Sequence, residues 1–508
     1  MTFIVLKSFL PEFFLSFCLL SQLVYNSLIV SNYKQSFPIV TKELFLQTLF
    51  VLSAVLLLLL NLKCEAFFSN FLFVNDQSTI LVKSFTVLTG IIILLIIVKN
   101  IGLQKLNFFE YFLLYLLSLL AILLLITASD MLAAYLVIEM QALCFYVLTS
   151  FNRDSAFSTE AGLKYFISGS FVSGIFLAGC SLIYGLVGTL NFAHLYLLFS
   201  TPFETASYFY VYLFIGNFLI LITFLFKLAV VPFHFWAPDV YEGAPLSSTI
   251  VFSILPKVGL VYFFIKWLLL LTTSFTDIFV FLEITALLSL ILGIVFSLRQ
   301  KRLKRLMVYS SIAQLGFVIA ALAAPGLNTL VSSFFFLFIY VVSSLVFWLN
   351  LSTFYGFQQR VRMFFQGTLS PLYLTSFTNL FLLNKPWSFS LLVLFFSIAG
   401  IPPFGGFFAK VFIVASLMES HYVMLGLVIL LMSLVSSFYY LRFLKVIFFE
   451  PQAFIFKNST SQVLFFDTFF LGNCFINSIF IFVLLYVFIN PTFVLLVCQQ
   501  IILGLYFF

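Results

Sequence analysis

The sequence has 508 residues, 63% of them hydrophobic and only 8% charged, with a formal net charge of +7. A soluble domain carries roughly a quarter charged residues, so no water-soluble fold could cover this chain, and its solvent is lipid. Six cysteines stand singly, at 18, 64, 144, 180, 474 and 498; with no C-x-x-C pair, no histidine cluster and no glycine-rich phosphate loop, the pattern argues against zinc or iron–sulfur ligation, a disulfide framework and a motif-built nucleotide site.

Apolar runs of the roughly 20 residues that cross a bilayer recur about fourteen times along the chain. The first, 9–30, is too long for a signal-peptide core, and no Arg- and Ser-rich presequence precedes it. It is expected to stay as a membrane helix, in a chain that is bacterial or made inside the organelle where it works. The others are expected at 44–62, 79–98, 108–127, 130–150, 160–188, 208–236, 246–271, 277–298, 306–323, 329–354, 388–418, 421–448 and 472–506, the last long enough to bend. The longest polar stretches run from Tyr355 to about Trp387 and from Glu450 to Asp467, and no soluble domain intervenes. The 75 Phe read as drift among interchangeable apolar residues on a lipid-facing surface.

Lys and Arg set the orientation. Alternate loops on one side carry sixteen: Lys34, Lys42, Lys99, Lys105, Arg153, Arg299, Lys301, Arg302, Lys304, Arg305, Arg360, Arg362, Lys385, Arg442, Lys445 and Lys457. The other side carries four, Lys7, Lys63, Lys83 and Lys266. The asymmetry puts both termini outside, in the intermembrane space or periplasm. The basic run Arg299–Arg305 reads as a topology signal beside anionic lipid rather than a nucleic-acid site.

Two spans are interrupted. The seventh reads LFKLAVVPFHFWAP, with Lys227 before Pro232; the twelfth reads SIAGIPPFGGFFAK, with Pro402, Pro403, Gly405 and Gly406 before Lys410. Proline removes a helix hydrogen bond and clashes with the preceding turn, and carbonyls freed in hydrocarbon need protein or water partners. Two broken helices, each with one lysine and five helices apart, fit an inverted repeat of helices 4–8 and 9–13 with a transport site at the breaks. Kinks without a transport role fit the breaks as well. The expected parts are a three-helix segment 1–107, repeats at 108–271 and 272–448, and a C-terminal loop and helix at 449–508.

An ionised side chain at mid-membrane costs about 2.5–3.5 kcal/mol on insertion scales, so intramembrane charges point to function. Glu139 lies about ten residues into the fifth span with no neutralising neighbour in sequence. Lys227 sits before the first break, and a pair between them would let each change charge when the other moves; a static salt bridge is the competing reading. Lys257 follows Pro256 near the centre of the eighth span, where snorkelling is hard, and Lys410 follows the second break. Lys164, one turn inside the sixth span after Ser158, Thr159 and Glu160, fits a loop anchor as well as a proton carrier. His234, Tyr309, Ser310, Ser311 and Gln314 could carry a relay.

Five stretches, DMLAAYLVIEMQALCFYVL, RDSAFSTEAGLKYFISGSFVSGIFLAGCSLIYGLVGTLNF, FKLAVVPFHFWAPDVYEGAP, KRLKRLMVYSSIAQLGF and AGIPPFGGFFAK, resemble the subunit 2 family of mitochondrial complex I, called subunit N in bacteria. SFLPEFF from Ser8 and the single Asp76 match the family's usual start. The resemblance implies an all-α membrane fold of about fourteen helices with two inverted five-helix repeats. It implies a Glu139–Lys227 ion pair, Lys257 as a central lysine, Lys410 as the lysine of a second half-channel and Lys164 as the lysine before an aromatic pair. Where the family usually has histidine in a YSSI-x-H segment, this chain has Gln314, which can hold water but cannot carry a charged proton.

The implied activity is proton translocation within an NADH:ubiquinone oxidoreductase, driven by quinone reduction in another subunit. The chain itself would hold no cofactor; NADH, FMN, iron–sulfur clusters and ubiquinone would belong to other subunits. Its implied partners are neighbouring membrane-arm and accessory subunits and lipids such as cardiolipin, in the mitochondrial inner membrane or, alternatively, a bacterial inner membrane. A cation/proton antiporter or membrane-hydrogenase subunit of the same fold, a non-pumping scaffold and a free-standing transporter remain as competing readings of the buried charges.

Overall fold

The computed structural model describes residues 7–506 apart from 33–36, 63–65, 69–71, 105, 107–108, 201–207, 273, 366–372, 379 and 451–467. Lys34, Lys63, Cys64, Lys105 and Lys457, singled out above, lie outside the described residues, as does all but the start of the stretch from Glu450 to Asp467. The helices are α1 Leu10–Asn32, α2 Phe37–Leu60, α3 Gln77–Leu103, α4 Phe109–Thr127, α5 Met131–Thr149, α6 Ala156–Val187, α7 Phe192–Phe199, α8 Tyr208–Lys227, α9 Trp236–Gly243 and α10 Leu246–Leu271. They continue with α11 Thr276–Arg299, α12 Leu303–Ala323, α13 Leu327–Phe365, α14 Leu380–Leu383, α15 Lys385–Ala399, α16 Gly405–Glu419, α17 Val423–Phe448, α18 Thr468–Ile489 and α19 Thr492–Tyr506. A short antiparallel hairpin, β1 Ala66–Phe68 and β2 Phe73–Asn75, precedes α3.

Among the described residues twelve helices are long and apolar enough to cross a membrane. The run expected at 388–418 is two helices of 15 residues each, α15 and α16, parted at Gly400 to Phe404. The run expected at 472–506 is also two, parted at Asn490 and Pro491, because a residue before proline is pushed out of helical geometry. The polar stretch expected from Tyr355 begins instead as a continuation of α13 to Phe365. Lys83 and Lys266, counted above with loops, lie inside α3 and α10, which leaves their side only Lys7 and Lys63.

The chain divides into two compact units. The first holds residues 1–229, 243–278 and 500–508. Its centre is α10, buried almost throughout and packed on α3, α4, α5, α7 and α8. The α5 start is set by Asp130, whose carboxylate accepts from the Leu132 amide at 2.8 Å, an N-cap that satisfies helix donors lacking an intrahelical partner. The longest packed seam joins α6 and α8 through two glycines. A Cβ on Gly179 would stand 2.8 Å from the Gly216 carbonyl oxygen, so this close crossing requires small residues there.

The second unit holds residues 230–242 and 279–499. Its core helix is α13, against which α12, α15, α16 and α18 pack. Polar joints replace the missing hydrophobic drive between helices in lipid. The Asn350 Oδ1 accepts from Trp387 Nε1 at 2.8 Å, Ser390 Oγ at 3.2 Å and Asn477 Nδ2 at 3.1 Å, tying α13 to α15 and α18. The Ser332 and Ser416 hydroxyls meet at 2.9 Å between α13 and α16.

Candidate functional site

In the first unit the end of α8 brings Lys227 to α5. Its Nζ lies 3.7 Å from Glu139 Oε1, with the side chains 10% and 21% exposed. That distance is an ion pair without a tight hydrogen bond: Glu139 Oε1 and Lys227 Nζ are buried and have no hydrogen-bond partner among the described residues. The pair opens onto a cavity of about 10 Å³, lined by Tyr135, Ser173, Thr223, Phe176 and Phe224 among others, which is about the room one water needs by this measure. A loose pair next to a small cavity has room to shift, whereas a static bridge gains most from close, fully bonded contact.

The helix ends where it does for a local reason. After Lys227, Ala229 adopts φ +57°, which bends the chain out of α8, and the Leu228 and Ala229 amides still bond back to Phe224 and Phe226. Lys227 therefore sits in the last turn, where the carbonyl ends of the helix favour a cation. Lys257 lies in mid-α10, 5% exposed, directly after Pro256.

In the second unit Lys410 occupies the break between α15 and α16. Its ammonium donates to the Ala399 carbonyl at 2.7 Å and lies 5.5 Å from the Phe317 ring centre. Ala399 ends α15, and its carbonyl is one of those a truncated helix leaves unpaired. Gly400 (φ +82°) reverses the chain, and a Cβ there would stand 2.8 Å from Lys410 Cδ. Gly406 is equally constrained: a Cβ would lie 1.8 Å from the Ser397 carbonyl oxygen.

The remaining residues singled out in the sequence are dispersed. Lys164 pairs with Glu160 at 2.7 Å on an outward face of α6, with side chains 48% and 60% exposed, away from the Glu139–Lys227 cavity. His234 is buried in the turn after the first break, its Nδ1 unpartnered among the described residues. Tyr309 and Gln314 both lie on α12, Tyr309 against the Phe296 ring. Among the described residues no hydrogen bond joins His234, Tyr309 or Gln314 to Lys410.

Two groupings were not legible as sites. Arg302 and Arg305, read as part of a topology signal, clasp the acidic residues of PFHFWAPDVYEGAP: Arg305 bonds Asp239 at 3.0 Å and also Glu242, and Arg302 bonds Glu242. Glu242's hydrogen bond and charge raise the Arg302 pKa above its ordinary value. Lys83 is buried in an ion pair with Glu12, and Lys266 donates to the Ile126 carbonyl. Each of these lysines lies close to a span boundary, where snorkelling is the default expectation.

The family model described as NADH:quinone oxidoreductase/Mrp antiporter, TM matches residues 128–436, a range containing Glu139, Lys227, Lys257 and Lys410. The chain belongs to this antiporter-like membrane family. It is 35% identical over 454 residues to NADH-ubiquinone oxidoreductase chain 2 of Marchantia polymorpha, covering 87% of this chain and 88% of that one. It is also 35% identical to NADH-quinone oxidoreductase subunit N of Pelagibacter ubique (strain HTCC1062), over 75% of this chain and 77% of that one. Among solved structures it resembles a chain of respiratory complex I from Thermus thermophilus, with TM-score 0.74 and 23% identity over 96% of this chain and 98% of that one. A chain of the Mrp complex from Dietzia sp. DQ12-45-1b has TM-score 0.78 at 18% identity, over 99% and 98%. These two likenesses establish the fold, a multi-pass helical membrane protein of the antiporter-like kind.

Proposed function

We propose that this chain is the proton-translocating subunit N or chain 2 of an NADH:quinone oxidoreductase membrane arm, with Glu139, Lys227, Lys257 and Lys410 as its proton-transfer groups. The observation that carries this reading is the loose, half-buried Glu139–Lys227 pair over a small, water-sized cavity. A desolvated lysine that loses its counter-charge releases its proton more readily. Opening the pair would therefore send the proton toward Lys257, and separation in the opposite sense would reload it. Lys410 would serve the second unit, steadied between transfers by the α15 carbonyl it now holds. Lys164 is at most peripheral to this path, given its exposed pairing with Glu160.

The chain carries no redox chemistry of its own in this reading. NADH, FMN, iron–sulfur clusters and ubiquinone act in other subunits, and the energy reaches this chain as displaced charge. Its partners are neighbouring membrane-arm subunits, accessory subunits and lipids such as cardiolipin. Its place is the mitochondrial inner membrane, or a bacterial inner membrane, with the termini on the outer side. The test is NADH-driven proton transport in vesicles holding the complex with Lys227→Met. The expected result is assembled complex whose transport is largely lost; transport at the parent level rejects the assignment.

A further inference from the structure

We propose that Glu12, Lys83 and Lys266 form a second protonatable site in the first unit, which takes up a proton at Glu12 Oε2 or gives one up at Lys266 Nζ. It rests on the proton-translocation reading above and extends it to a part of the chain that the Glu139–Lys227 pair does not reach. Three observations carry it.

The first is burial of charge where none is needed for solubility. Lys83, in the second turn of α3, has no exposed surface; it is ion-paired to Glu12 of α1 and donates to Asn75 Oδ1 at 2.8 Å. Asn75 is itself fully buried and donates to the Ser8 carbonyl at 2.6 Å, so this pair is held from both sides. Lys266 of α10 is 4% exposed and lies within electrostatic reach of Lys83 and of the half-buried Asp76. Tyr262, one turn earlier on α10, packs its ring 5.0 Å from the Lys266 ammonium and bonds Ser78 of α3 at 3.0 Å. Two lysines, one buried carboxylate and one half-buried carboxylate thus gather where α1, α3, α4 and α10 pack together.

The second is an incomplete bond pattern. Glu12 Oε2 is buried and has no hydrogen-bond partner among the described residues, while Oε1 holds Lys83. A carboxylate serving only as a bolt would bond both oxygens, since each buried acceptor left unmade costs about 1–3 kcal/mol. An oxygen left open beside the Lys83 ion pair is a place for a proton to arrive.

The third is the repetition of a device. Lys266 donates at 2.7 Å to the carbonyl of Ile126, in the last turn of α4, as Lys410 donates at 2.7 Å to the carbonyl of Ala399 at the end of α15. In both, a lysine ammonium rests on the negative end of a helix, which favours its charged form. Lys266 is also the next ionisable amine after Lys257 along α10, nine residues on, or ~13 Å at 1.5 Å per residue. Between them only Tyr262 carries a polar side chain. Asp76, half-buried at the α3 N-cap, supplies the link to water at this end of the unit.

The test uses the assembled complex in vesicles, reading protons moved per NADH oxidised, with Glu12→Gln, Lys266→Arg and Lys227→Met in parallel. Arginine keeps the charge and the hydrogen bond to Ile126 but cannot release a proton, so a static clasp tolerates it, whereas a titrating site loses at least about threefold in the ratio. Glu12→Gln, which keeps the shape and the contact with Lys83, should lose a similar amount. Parent-level ratios in both, while Lys227→Met is impaired, overturn this site and leave the main reading standing. A parent-level ratio in Lys227→Met overturns the main reading and this site with it. If the variants fail to assemble, a hydrophobic carbodiimide, which attacks protonated carboxyls in apolar surroundings, is applied to the parent complex. Modification of Glu12 that speeds up during NADH oxidation supports the site, and no modification of Glu12 during turnover overturns it.

Discussion

Replacing Lys227 by Met should destabilise the first unit more than replacing Lys227 and Glu139 together. The two charges lie 3.7 Å apart with side chains 10% and 21% exposed. At an effective dielectric constant near 20 their attraction is about 4 to 5 kcal/mol. Removing one partner of a buried pair typically costs about 3–5 kcal/mol, because the survivor keeps its desolvation without its counter-charge. The double variant Lys227→Met/Glu139→Gln carries no charge at this site and an apolar chain where the ammonium was, a replacement that is often near neutral for stability.

The assay is graded heating of the purified complex, followed by the amount of this chain still held in it. Lys227→Met should release the chain at a clearly lower temperature than the parent, and the double variant at a temperature near the parent's. Proton transport should be lost in both, which separates the pair's structural share from its part in proton transfer. Equal heat resistance in the single and double variants would refute the reasoning, since it would mean that Glu139 carries no charge that Lys227 compensates.

Gly406→Ala should cost the upper end of the roughly 1–3 kcal/mol of overpacking, or more, because its Cβ would stand 1.8 Å from the Ser397 carbonyl oxygen against an ordinary contact of roughly 3.3 Å; the yield of assembled complex and its proton transport should both fall, while Gly174→Ala, with open space around its Cβ, should change neither. Glu242→Gln should loosen the clasp on Arg302 and Arg305 by about 1 kcal/mol, given that these groups are partly exposed, and the loss in heat resistance should shrink as salt is raised.

What was legible in the sequence is what announces itself locally. The spans follow from hydropathy, and both breaks follow from proline and glycine: Pro232 and the Pro402–Gly406 cluster lie at the two interruptions. Glu139 and Lys227 were readable because each stands deep in an apolar run, and the structure brings them together. The split of the last run at Pro491 was missed because one proline in a long apolar stretch permits a bend as readily as a stop. Lys164 drew attention by its place inside a span, but whether a helix face points inward depends on its neighbours, and here the lysine faces outward with Glu160.

Lys266 shows why the rest was hidden. Lys410 could be found because the carbonyl it holds belongs to the same broken span, 11 residues away, so motif and partner were read together. The carbonyl that holds Lys266 lies 140 residues away, at the end of a helix with no break in it. Likewise the Glu12 partner of Lys83 is 71 residues off, in the first turn of α1. A lysine near a span boundary is read as snorkelling unless something closes over that end of the bundle, and closure is a property of packing. Here Asn75, at the end of β2 and fully buried, bonds both Lys83 and the Ser8 carbonyl, so the hairpin and the start of α1 close over the lysine. A hairpin of three-residue strands has no periodicity long enough to be seen in sequence. Depth in the chain therefore located the pair at Glu139 and Lys227, whereas the charges at Glu12, Lys83 and Lys266 became visible as buried only once α1, α3, α4 and α10 had been brought around them.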